Sequence, residues 1–600
     1  MKMYGGGLIA RTLKSFGLKH LFALPGHQIL SLFDACPREG LDLISTRHEA
    51  SAVFMAQALS FVGPGPGVVL LAGGPELTNA VTGIAQAYYA RTPLVVISGS
   101  NTYSKRDKGF PQDMDQLQVV RPFTKWARSC HDVQRIPEYV AMAFRHALRG
   151  CPGPVYLEVP YDVMEKTIHS EEVVIPEKPA VLHQGADLEA IQALAALLRQ
   201  AERPVAVVGS GAFWSGAREE LQEFVERTAV PLLLCDAAMA MPFSAEAVIG
   251  VGGLGVSRPW LEAITAADVI LLLGARLNYA LGFGEPPFIS ERQKIIQIDV
   301  EPEEMDGRGR IALAIAADVR SGLRAFNSLP LYPPSTHAWR AHLRKSVEKC
   351  DAELHRIAAS PRHPLHPLRL VLDIESFRAD DSYLVLDGAN SILWALMAIR
   401  VRPQGGILLS TMGELQAIGA GVAHALALQR AYPGRQVILH TGDGSFGYGA
   451  MEMETAVRYG IPLVVVVHND GGWGMTRDMQ VEFFGQRGQS GHELGIVHYE
   501  RLVESLGGYG ELVERGEDIR PALERALGSG KPACVNVLVD PRPKSPGLKT
   551  FMLMEVMLGK KTYFDRIPAW MRRLKTVGVD NLARQAMLCY LDSKLHKEME

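Results

Sequence analysis

Residues 442–472 read GDGSFGYGAMEMETAVRYGIPLVVVVHNDGG, and this stretch decides the prediction of the fold. It contains a glycine-bracketed acid, a helix-length segment, a run of valines and an Asn-Asp pair. Short apolar strands that alternate with helices are typical of parallel sheets covered on both faces. Ligands of such sheets bind at the carboxyl ends of the strands, so we expect Asp443 and Asn469 to lie close together at one edge.

The same order of helix, β-branched strand and glycine-rich turn recurs along the chain, which has 600 residues and exceeds the usual size of a single core. Strand-like runs include PGVVLLAGG, RPVAVVGSG and RQVILHTGDG. The pattern predicts an α/β fold with three doubly wound parallel-sheet domains at residues 1–170, 185–335 and 364–540. Residues 541–600 lack strand-like runs and are predicted to form a helical extension.

Composition narrows the class of protein. The net charge is −3 and the apolar content is 47%, which gives no reason to expect nucleic acid as a partner. No apolar run is long enough for a membrane helix, and the first residues lack the apolar core of a signal peptide. Seven cysteines are scattered without CxxC spacing, which is typical of a reducing compartment. We therefore expect a cytoplasmic protein without membrane partners.

The opening stretch also indicates a chemistry. Glycines around Asp443 let the backbone approach a phosphate closely, and a following helix offers its N-terminal amides to an anion. Carboxylate, carboxamide and carbonyl oxygens are hard ligands that suit Mg²⁺. The combination predicts a magnesium ion that bridges a diphosphate.

This arrangement resembles the signature of thiamine diphosphate enzymes, in which GDG is followed one helix and one strand later by NN. His468 stands where the first Asn of that pair is expected. The resemblance implies a thiamine diphosphate cofactor and Mg²⁺ held by Asp443, Asn469 and the carbonyl of Gly471. It also implies contacts between the diphosphate and Gly442, Gly444 and Ser445.

Further motifs extend the resemblance over the first domain. RHEASA at residues 47–52 resembles the segment that supplies a carboxylate to the aminopyrimidine ring, which implies that role for Glu49. GFPQDMDQ at 109–116 resembles a loop of the substrate pocket and implies Gln112, with Asp113 beside it. His27, in ALPGHQI, matches a loop that reaches the reacting carbon and is a candidate for proton transfer.

Two turns of the third domain continue the match. STMG at residues 410–413 resembles the turn whose bulky residue props the cofactor into a V shape, which implies Met412 as the prop and the backbone of Ser410 against the aminopyrimidine. LDGANS at 386–391 resembles a diphosphate-contacting turn and implies Ala389 and Asn390. In this family the cofactor lies between the first domain of one subunit and the third domain of another, so we expect a homodimer or homotetramer.

Other segments favour one branch of the family. GARLNYALGFGEPPF, KIIQIDVEPEEMD and FGYGAMEMETAVRYGIP are similar to 2-hydroxyacyl-CoA lyases and oxalyl-CoA decarboxylases. That similarity implies coenzyme A contacts for Arg276 and Asn278 and ADP as a ligand of the central domain. Residues 542–600 contain 12 Lys and Arg against 6 Asp and Glu, an excess of +6, which suits a lid over the phosphates of an acyl-CoA substrate.

The loop QVEFFGQRGQSGHELGIVHYE lies where the family places groups that face the substrate. Glu493 is the candidate acid or base there, and His492 and His498 are further candidates. A solvated loop carboxylate is the alternative for Glu493.

The predicted function is a thiamine diphosphate-dependent 2-hydroxyacyl-CoA lyase. It would release formyl-CoA and an aldehyde or ketone, and it would run in reverse as a carboligase. Alternatives within the enzymes are an acetolactate synthase-like carboligase, a 2-oxoacid decarboxylase and an oxalyl-CoA decarboxylase. The alternative outside the enzymes is a catalytically silent regulatory paralogue.

Overall fold

The computed structural model describes residues 2–63, 65–253, 257–286, 288–305, 309–330, 336–361, 363–485, 490–548 and 550–552. These residues form three successive α/β units, each built on a six-stranded parallel sheet. The α/β fold with three doubly wound parallel-sheet domains is thereby confirmed. Most of the predicted helical extension, residues 553–600, lies outside the described residues.

The first domain contains strands β1–β8 and helices α1–α7. Its strands are β1 Lys2–Tyr4, β2 His20–Ala23, β3 Asp42–Ser45, β4 Gly67–Leu71, β5 Leu94–Ser100, β6 Trp126–Ser129, β7 Pro154–Pro160 and β8 Thr167–His169. Its helices are α1 Gly5–Ser15, α2 Leu30–Arg38, α3 Glu49–Ser60, α4 Pro75–Tyr89, α5 Gln116–Val120, α6 Ile136–Leu148 and α7 Tyr161–Met164. Strands β1 and β8 form a small antiparallel pair apart from the main sheet.

The central domain contains strands β9–β14, and a long helix leads out of it. The strands are β9 Pro204–Val208, β10 Leu232–Leu234, β11 Val248–Val251, β12 Val269–Leu273, β13 Lys294–Asp299 and β14 Ile311–Ala316. The helices are α8 Leu188–Gln200, α9 Ser210–Trp214, α10 Arg218–Thr228, α11 Arg258–Ala266, α12 Val319–Asn327 and the connecting α13 His337–Ala358.

The third domain contains strands β15–β20 and helices α14–α21. The strands are β15 Tyr383–Asp387, β16 Gly406–Leu409, β17 Val437–Gly442, β18 Val464–Asn469, β19 Tyr509–Val513 and β20 Ala533–Leu538. The helices are α14 Pro367–Phe377, α15 Asn390–Ala398, α16 Gly421–Ala431, α17 Asp443–Gly449, α18 Glu452–Arg458, α19 Gly474–Phe484, α20 Tyr499–Ser505 and α21 Gly516–Gly528.

Strand order places the ligand-binding edges. The first sheet runs β3-β2-β4-β5-β7-β6 and the third runs β16-β15-β17-β18-β20-β19, which is the same order within each domain. The central sheet runs β11-β10-β9-β12-β13-β14, the order of dinucleotide-binding folds. In the third sheet, the first strand β15 lies beside the third strand β17, so the order reverses there. Open α/β sheets bind ligands at such a point.

The domains share apolar cores. Helix α3 of the first domain packs on α16 of the third, and one cluster of buried residues joins Phe54 with Ala423 and Leu426. Polar contacts reinforce this interface: Arg430 donates two hydrogen bonds to the carboxylate of Asp42, at 2.8 and 2.9 Å. The first and third domains of one chain are therefore held firmly against each other.

No helix of the described residues is long and apolar enough to cross a membrane. The described cysteines, six in number, are free thiols.

Candidate active site

A cavity of about 210 Å³ lies at the carboxyl ends of β15, β17 and β18. The parallel register brings these ends together, because Asp387 pairs with Thr441 and Gly442 pairs with His468. The predicted residues that line the cavity are Ala389, Asn390, Gly442, Asp443, Gly444 and Ser445. The predicted diphosphate-contacting turns, far apart in sequence, therefore meet at one site.

Two glycines of this cavity cannot carry a side chain. Gly388 has a φ of +109°, and a Cβ there would lie 2.3 Å from the hydroxyl oxygen of Ser391. A Cβ on Gly444 would lie 2.5 Å from the ring of Trp473. Both positions therefore need glycine, the first for its backbone conformation and both for close approach.

Asp387 organises the loop on the β15 side. Its buried carboxylate accepts hydrogen bonds from the backbone N–H groups of Gly388 at 2.8 Å, Gly419 at 3.1 Å and Gly421 at 3.0 Å. Burial nevertheless raises the pKa of Asp387. The carboxylate ties β15 to the start of α16 and so fixes one wall of the cavity.

Asp443 and Asp470 form a buried pair of acids in the cavity. Burial first, and then the charge of Asp470, raise the pKa of Asp443 to about 7, although backbone hydrogen bonds from Gly444 and Gly472 oppose the rise. The Oδ2 atom of Asp443 is buried without a hydrogen-bond partner among the described residues. Asp470 has one cationic neighbour, because Arg477 Nη2 lies 2.8 Å from its Oδ2.

These groups fit Mg²⁺. A pKa of about 7 corresponds to about 4 kcal/mol against the charged form of Asp443, which a divalent cation would offset. The described residues contain no cluster of three or more His, Cys, Asp or Glu side chains that could hold a metal. Carbonyl, water and phosphate oxygens would therefore complete the coordination, as Mg²⁺ commonly requires.

Asn469 and Gly471 are not among the residues that line the cavity, and their role as metal ligands stays a prediction. The Asn469 amide nitrogen donates to the carbonyl of Val497 at 3.1 Å, and its Oδ1 accepts from the Gly471 N–H at 3.2 Å. The Gly471 carbonyl already accepts from Leu494 and Gly495, so both of its lone pairs are used. Asp470 and Gly472 line the cavity instead.

His468 lies in the wall of the cavity on β18. Its ring packs against that of His440 on β17, with centroids 5.7 Å apart. Burial, with the nearby charge of Arg477 as a lesser cause, lowers the pKa of His468 to about 3. The ring is therefore neutral at physiological pH and serves as a packed wall, which answers why a histidine stands before the Asn-Asp pair.

The predicted thiamine turn is buried. The backbone oxygen of Met412 accepts from Gln86 Nε2 at 2.5 Å, and the hydroxyl of Ser410 contacts His424 Nδ1 at 3.0 Å. Met412 is almost fully buried between the first and third domains. Residue Gln86, on α4 of the first domain, was not singled out by sequence.

Glu49 begins helix α3 and is buried. Asn79 Nδ2 donates to its carboxylate at 3.0 Å, and His48 caps the same helix through a hydrogen bond from the Ala50 N–H at 3.1 Å. No described residue of the first domain lines the diphosphate cavity of its own chain. The structure of one chain therefore does not bring Glu49 and Asp443 into one site.

The carboxyl edge of the first sheet brings the other predicted residues together. Gln112 has a φ of +64°, accepts from Gln28 Nε2 at 2.7 Å and donates to Glu76 at 3.2 Å. His27 directly precedes Gln28 and is exposed. The centroid of its ring lies 6.1 Å from that of the Tyr161 ring. Asp113 is turned into its own loop, where it accepts from the backbone of Asp107.

The three candidate residues of the loop before α20 have different surroundings. Glu493 is exposed and forms a backbone bridge with Gly472, next to the cavity. His492 is buried against Gln480 at 3.0 Å, and His498 contacts Glu500 at 2.7 Å. Both histidines have side-chain partners, and Glu493 and His498 are the exposed candidates of this loop.

A second cavity, of about 200 Å³, adjoins the first between the central and third domains. The two share Gly388, Ala389, Ile418 and Met475. Its wall is mostly apolar and includes residues from α15 and from the start of the C-terminal extension: Ile392, Leu393, Leu396, Gly547 and Phe551. The part of the predicted lid that the structure describes thus reaches this cavity.

Arg276 and Asn278 of the central domain contact the third domain, and their role in binding coenzyme A stays a prediction. Arg276 Nη1 lies 3.1 Å from the carboxylate of Glu414, and Asn278 Nδ2 donates to the same carboxylate at 3.0 Å. Neither residue lines the cleft at the carboxyl end of the central sheet. Carboxylates of Asp299 and Asp318 line that cleft instead.

Comparison with known proteins agrees with this geometry. Residues 3–119 match the N-terminal TPP binding domain of thiamine pyrophosphate enzymes, residues 191–326 match their central domain and residues 387–537 match their C-terminal TPP binding domain. The chain belongs to the thiamine pyrophosphate enzyme family. The family resemblance found in the sequence is confirmed, and thiamine diphosphate is the supported cofactor.

Relatives with different names are about equally similar. The acetolactate synthase large subunit of Mycobacterium tuberculosis is 32% identical over 91% of this chain and 97% of its own. The 2-hydroxyacyl-CoA lyase of Arabidopsis thaliana is 31% identical, with 90% and 96% covered, and the oxalyl-CoA decarboxylase of Escherichia coli is 29% identical, with 90% and 95% covered. Membership of the family is shown, and the reaction is not decided by identity.

Proposed function

We propose that this thiamine diphosphate-dependent enzyme is a 2-hydroxyacyl-CoA lyase that releases formyl-CoA and an aldehyde or ketone, and that also runs in the direction of carboligation. The observation that carries the proposal is the apolar cavity that adjoins the diphosphate cavity at Gly388 and Met475. A substrate that reacts at the cofactor and carries an apolar substituent needs such a space.

When bound, thiamine diphosphate supplies an electron sink for the cleavage of a bond next to a carbonyl carbon. The carboxylates of Asp443 and Asp470 would hold Mg²⁺, and through it the diphosphate. Gly444 and Gly388 would let the phosphates come close to the backbone. Met412 would support the bound cofactor, and the backbone of Ser410 would contact the aminopyrimidine.

Glu49 would act in the site of a second copy of this chain. It is buried on the first domain, and Asn79 orients its carboxylate. No described first-domain residue lines either cavity of its own chain, which supports a site completed by a partner subunit. We propose a homodimer, or a homotetramer built from two dimers, as the active form.

Proton transfers would come from the first domain of that partner copy. His27 is exposed, and Gln112 is held by Gln28 and Glu76 in a strained backbone conformation. Such strain persists where the surroundings over-determine it, often at active sites. Gln112 would orient the substrate carbonyl, and His27 would exchange the proton of the 2-hydroxyl group. Glu493 would act as an acid or base at the opposite side of the cavity.

An acetolactate synthase-like carboligase is the second candidate. One contact favours it: Arg276 and Asn278 are engaged with Glu414, so these residues are not free to bind coenzyme A. The central cleft presents Asp299 and Asp318, whose charges would repel the phosphates of ADP unless Asp299, with a pKa raised to about 6 by burial, is protonated. ADP in the central domain therefore stays a prediction.

The two candidates are separated by supplying each substrate. The enzyme, loaded with thiamine diphosphate and Mg²⁺, is incubated either with 2-hydroxyacyl-CoAs or with pyruvate. Formyl-CoA from the first incubation supports the lyase, and acetolactate from the second supports the synthase. Release of carbon dioxide and formyl-CoA from oxalyl-CoA would identify a decarboxylase. Binding of the cofactor without any turnover would support a silent paralogue.

A further inference from the structure

The turn at residues 410–416 is held by all three domains, and we propose that Arg276 and Asn278 are positioning residues for bound thiamine diphosphate, acting through Glu414. The inference rests on the cofactor and on the role of Met412 within the proposed function. It does not depend on which carbonyl substrate is used. It gives these two residues a role other than the predicted contacts with coenzyme A, which stay a prediction.

The first domain holds one side of the turn. Gln86 donates to the backbone oxygen of Met412, and its own Oε1 accepts from the Ala417 N–H at 3.1 Å. A Cβ on Gly413 would lie 2.5 Å from the carbonyl oxygen of Tyr89, at the end of the same helix α4. The turn therefore lies directly on α4, and only glycine permits that approach.

The central domain holds the other side through Glu414. Arg276 reaches two domains at once, since Nη1 contacts Glu414 and Nη2 donates to the backbone oxygen of Tyr89 at 3.4 Å. The side chain of Arg276 is only 16% exposed, so this contact is shielded from solvent more than a surface ion pair. Asn278 adds a neutral hydrogen bond to the same carboxylate.

Two more central residues contact the turn. The carboxylate of Asp236 accepts a hydrogen bond from the Gly413 N–H, and Tyr279 shares a side-chain hydrogen bond with Gln416. Asp236 and Gln416 both have positive φ, +49° and +53°, and both line the apolar cavity. An unfavourable backbone conformation on each side of this interface, one at Asp236 and one at Gln416, indicates that the interface is structurally constrained.

These contacts matter because the turn has no regular structure of its own. It lies between β16 and α16, and loops of this kind are mobile unless side chains fix them. Met412 sits in the middle of it, so any shift of the turn displaces the residue that would support the cofactor. The central domain would thus set the affinity for a cofactor bound by the third domain.

A double-mutant cycle tests the proposal on the full-length enzyme. Arg276→Gln and Glu414→Gln are made singly and together, and thiamine diphosphate is titrated with saturating Mg²⁺. Trp473 lines the diphosphate cavity, so its fluorescence reports occupancy without any substrate. Each single change should weaken cofactor binding about tenfold, and the double change should be no weaker than either alone. Arg292→Gln, an exposed change in the same domain, should have no effect.

An exchange of the two charges tests whether the contact itself supports cofactor binding. Arg276→Glu and Glu414→Arg should each weaken cofactor binding, and the two together should restore part of it. Unchanged cofactor affinity in Arg276→Gln, with a raised KM for acyl-CoA, would overturn the proposal in favour of coenzyme A binding. A lowered unfolding midpoint with unchanged cofactor affinity would overturn it in favour of a purely structural contact. Because the titration needs no substrate, a failure of lyase turnover would count only against the proposed reaction.

Discussion

The carboxylate of Asp470 lies in the same buried cavity as that of Asp443 and contributes to raising the pKa of Asp443 to about 7, after the larger effect of burial. Arg477 Nη2 lies 2.8 Å from Asp470, and its Nε lies 3.7 Å from Asp478, so one arginine is shared by two acids next to Asp443. An excess of carboxylates of this kind favours the binding of a divalent cation. We therefore propose Asp470 as a second acid beside Asp443 at the metal site, and the predicted ligands Asn469 and Gly471 stay predictions.

Alanine substitutions at the two neighbouring positions should therefore behave differently. Asp470→Ala should lower Mg²⁺ affinity by about tenfold or more, because it removes a charged ligand. Asn469→Ala should leave Mg²⁺ affinity near that of the wild type while it lowers the free energy of unfolding, since it breaks bonds to Val497 and Asn536. Calorimetric titration of Mg²⁺ with cofactor present distinguishes them. Loss of Mg²⁺ binding in Asn469→Ala alone would reverse the assignment.

Glu49→Gln should separate binding from turnover. The amide keeps the size of the side chain and a hydrogen bond with Asn79, so cofactor affinity should change by less than about threefold. Turnover should fall by about two orders of magnitude or more, because the acid that would face the aminopyrimidine in the proposed site is lost. Glu177→Gln, an exposed change in the segment between the first and central domains, is the control. Near-normal turnover of Glu49→Gln would remove Glu49 from the mechanism.

The apolar cavity should limit the size of the substrate. Its volume of about 200 Å³ exceeds that of a cavity of about 150 Å³ that accepts benzene, so a phenyl or short alkyl substituent fits. Leu396→Trp should fill it and raise the KM for a phenyl-substituted substrate by about tenfold, with little change for the smallest substrate. Leu527→Trp, at an exposed position, should affect neither. Equal effects on both substrates would show that the cavity does not hold the substituent.

Acid should destabilise the third domain through its buried histidines. Burial lowers the pKa of His424 and of His440 from 6.5 to about 3. The unfolded chain takes up protons below pH 6.5 and the folded chain does not, so stability is complete above pH 6.5 and is lost as the pH falls toward 3. At pH 5.5, each histidine should lower the free energy of unfolding by about 1.4 kcal/mol relative to neutral pH. Urea unfolding at pH 7.5 and 5.5 measures this difference in the free energy of unfolding. The difference should be smaller in His424→Gln. An unchanged loss in that variant would contradict the assignment.

The fold followed from the sequence because its signal is local and repeated. Buried strands such as PLVVVV and glycine turns such as GDGS each specify a parallel strand and the end at which a ligand binds. The same logic located the turn at Gly444, and the resemblance to the family located the turn at Gly388. Their meeting at one edge needed only the strand order.

Sequence did not locate contacts that depend on the direction of a side chain. Asn469 and Asp470 are adjacent, and successive residues at the end of a strand point to opposite sides, so the sequence did not show that Asp470 lines the cavity. The Asn469–Asp470 pair at the end of β18 was the signal in the sequence that could have pointed to Asp470. Gln86 and Arg276 act across domain boundaries, and Gln28 supports Gln112 through a bond that spans 84 residues. No motif encodes such partners.

The most direct test of the proposed function is a search for formyl-CoA by mass spectrometry. The enzyme is incubated with thiamine diphosphate, Mg²⁺ and 2-hydroxyacyl-CoAs that carry phenyl or short alkyl substituents, with Glu49→Gln as the inactive control. The account predicts formyl-CoA and the matching aldehyde or ketone in equal amounts, and neither with the control. Acetolactate from pyruvate, with no formyl-CoA from any thioester, would contradict it.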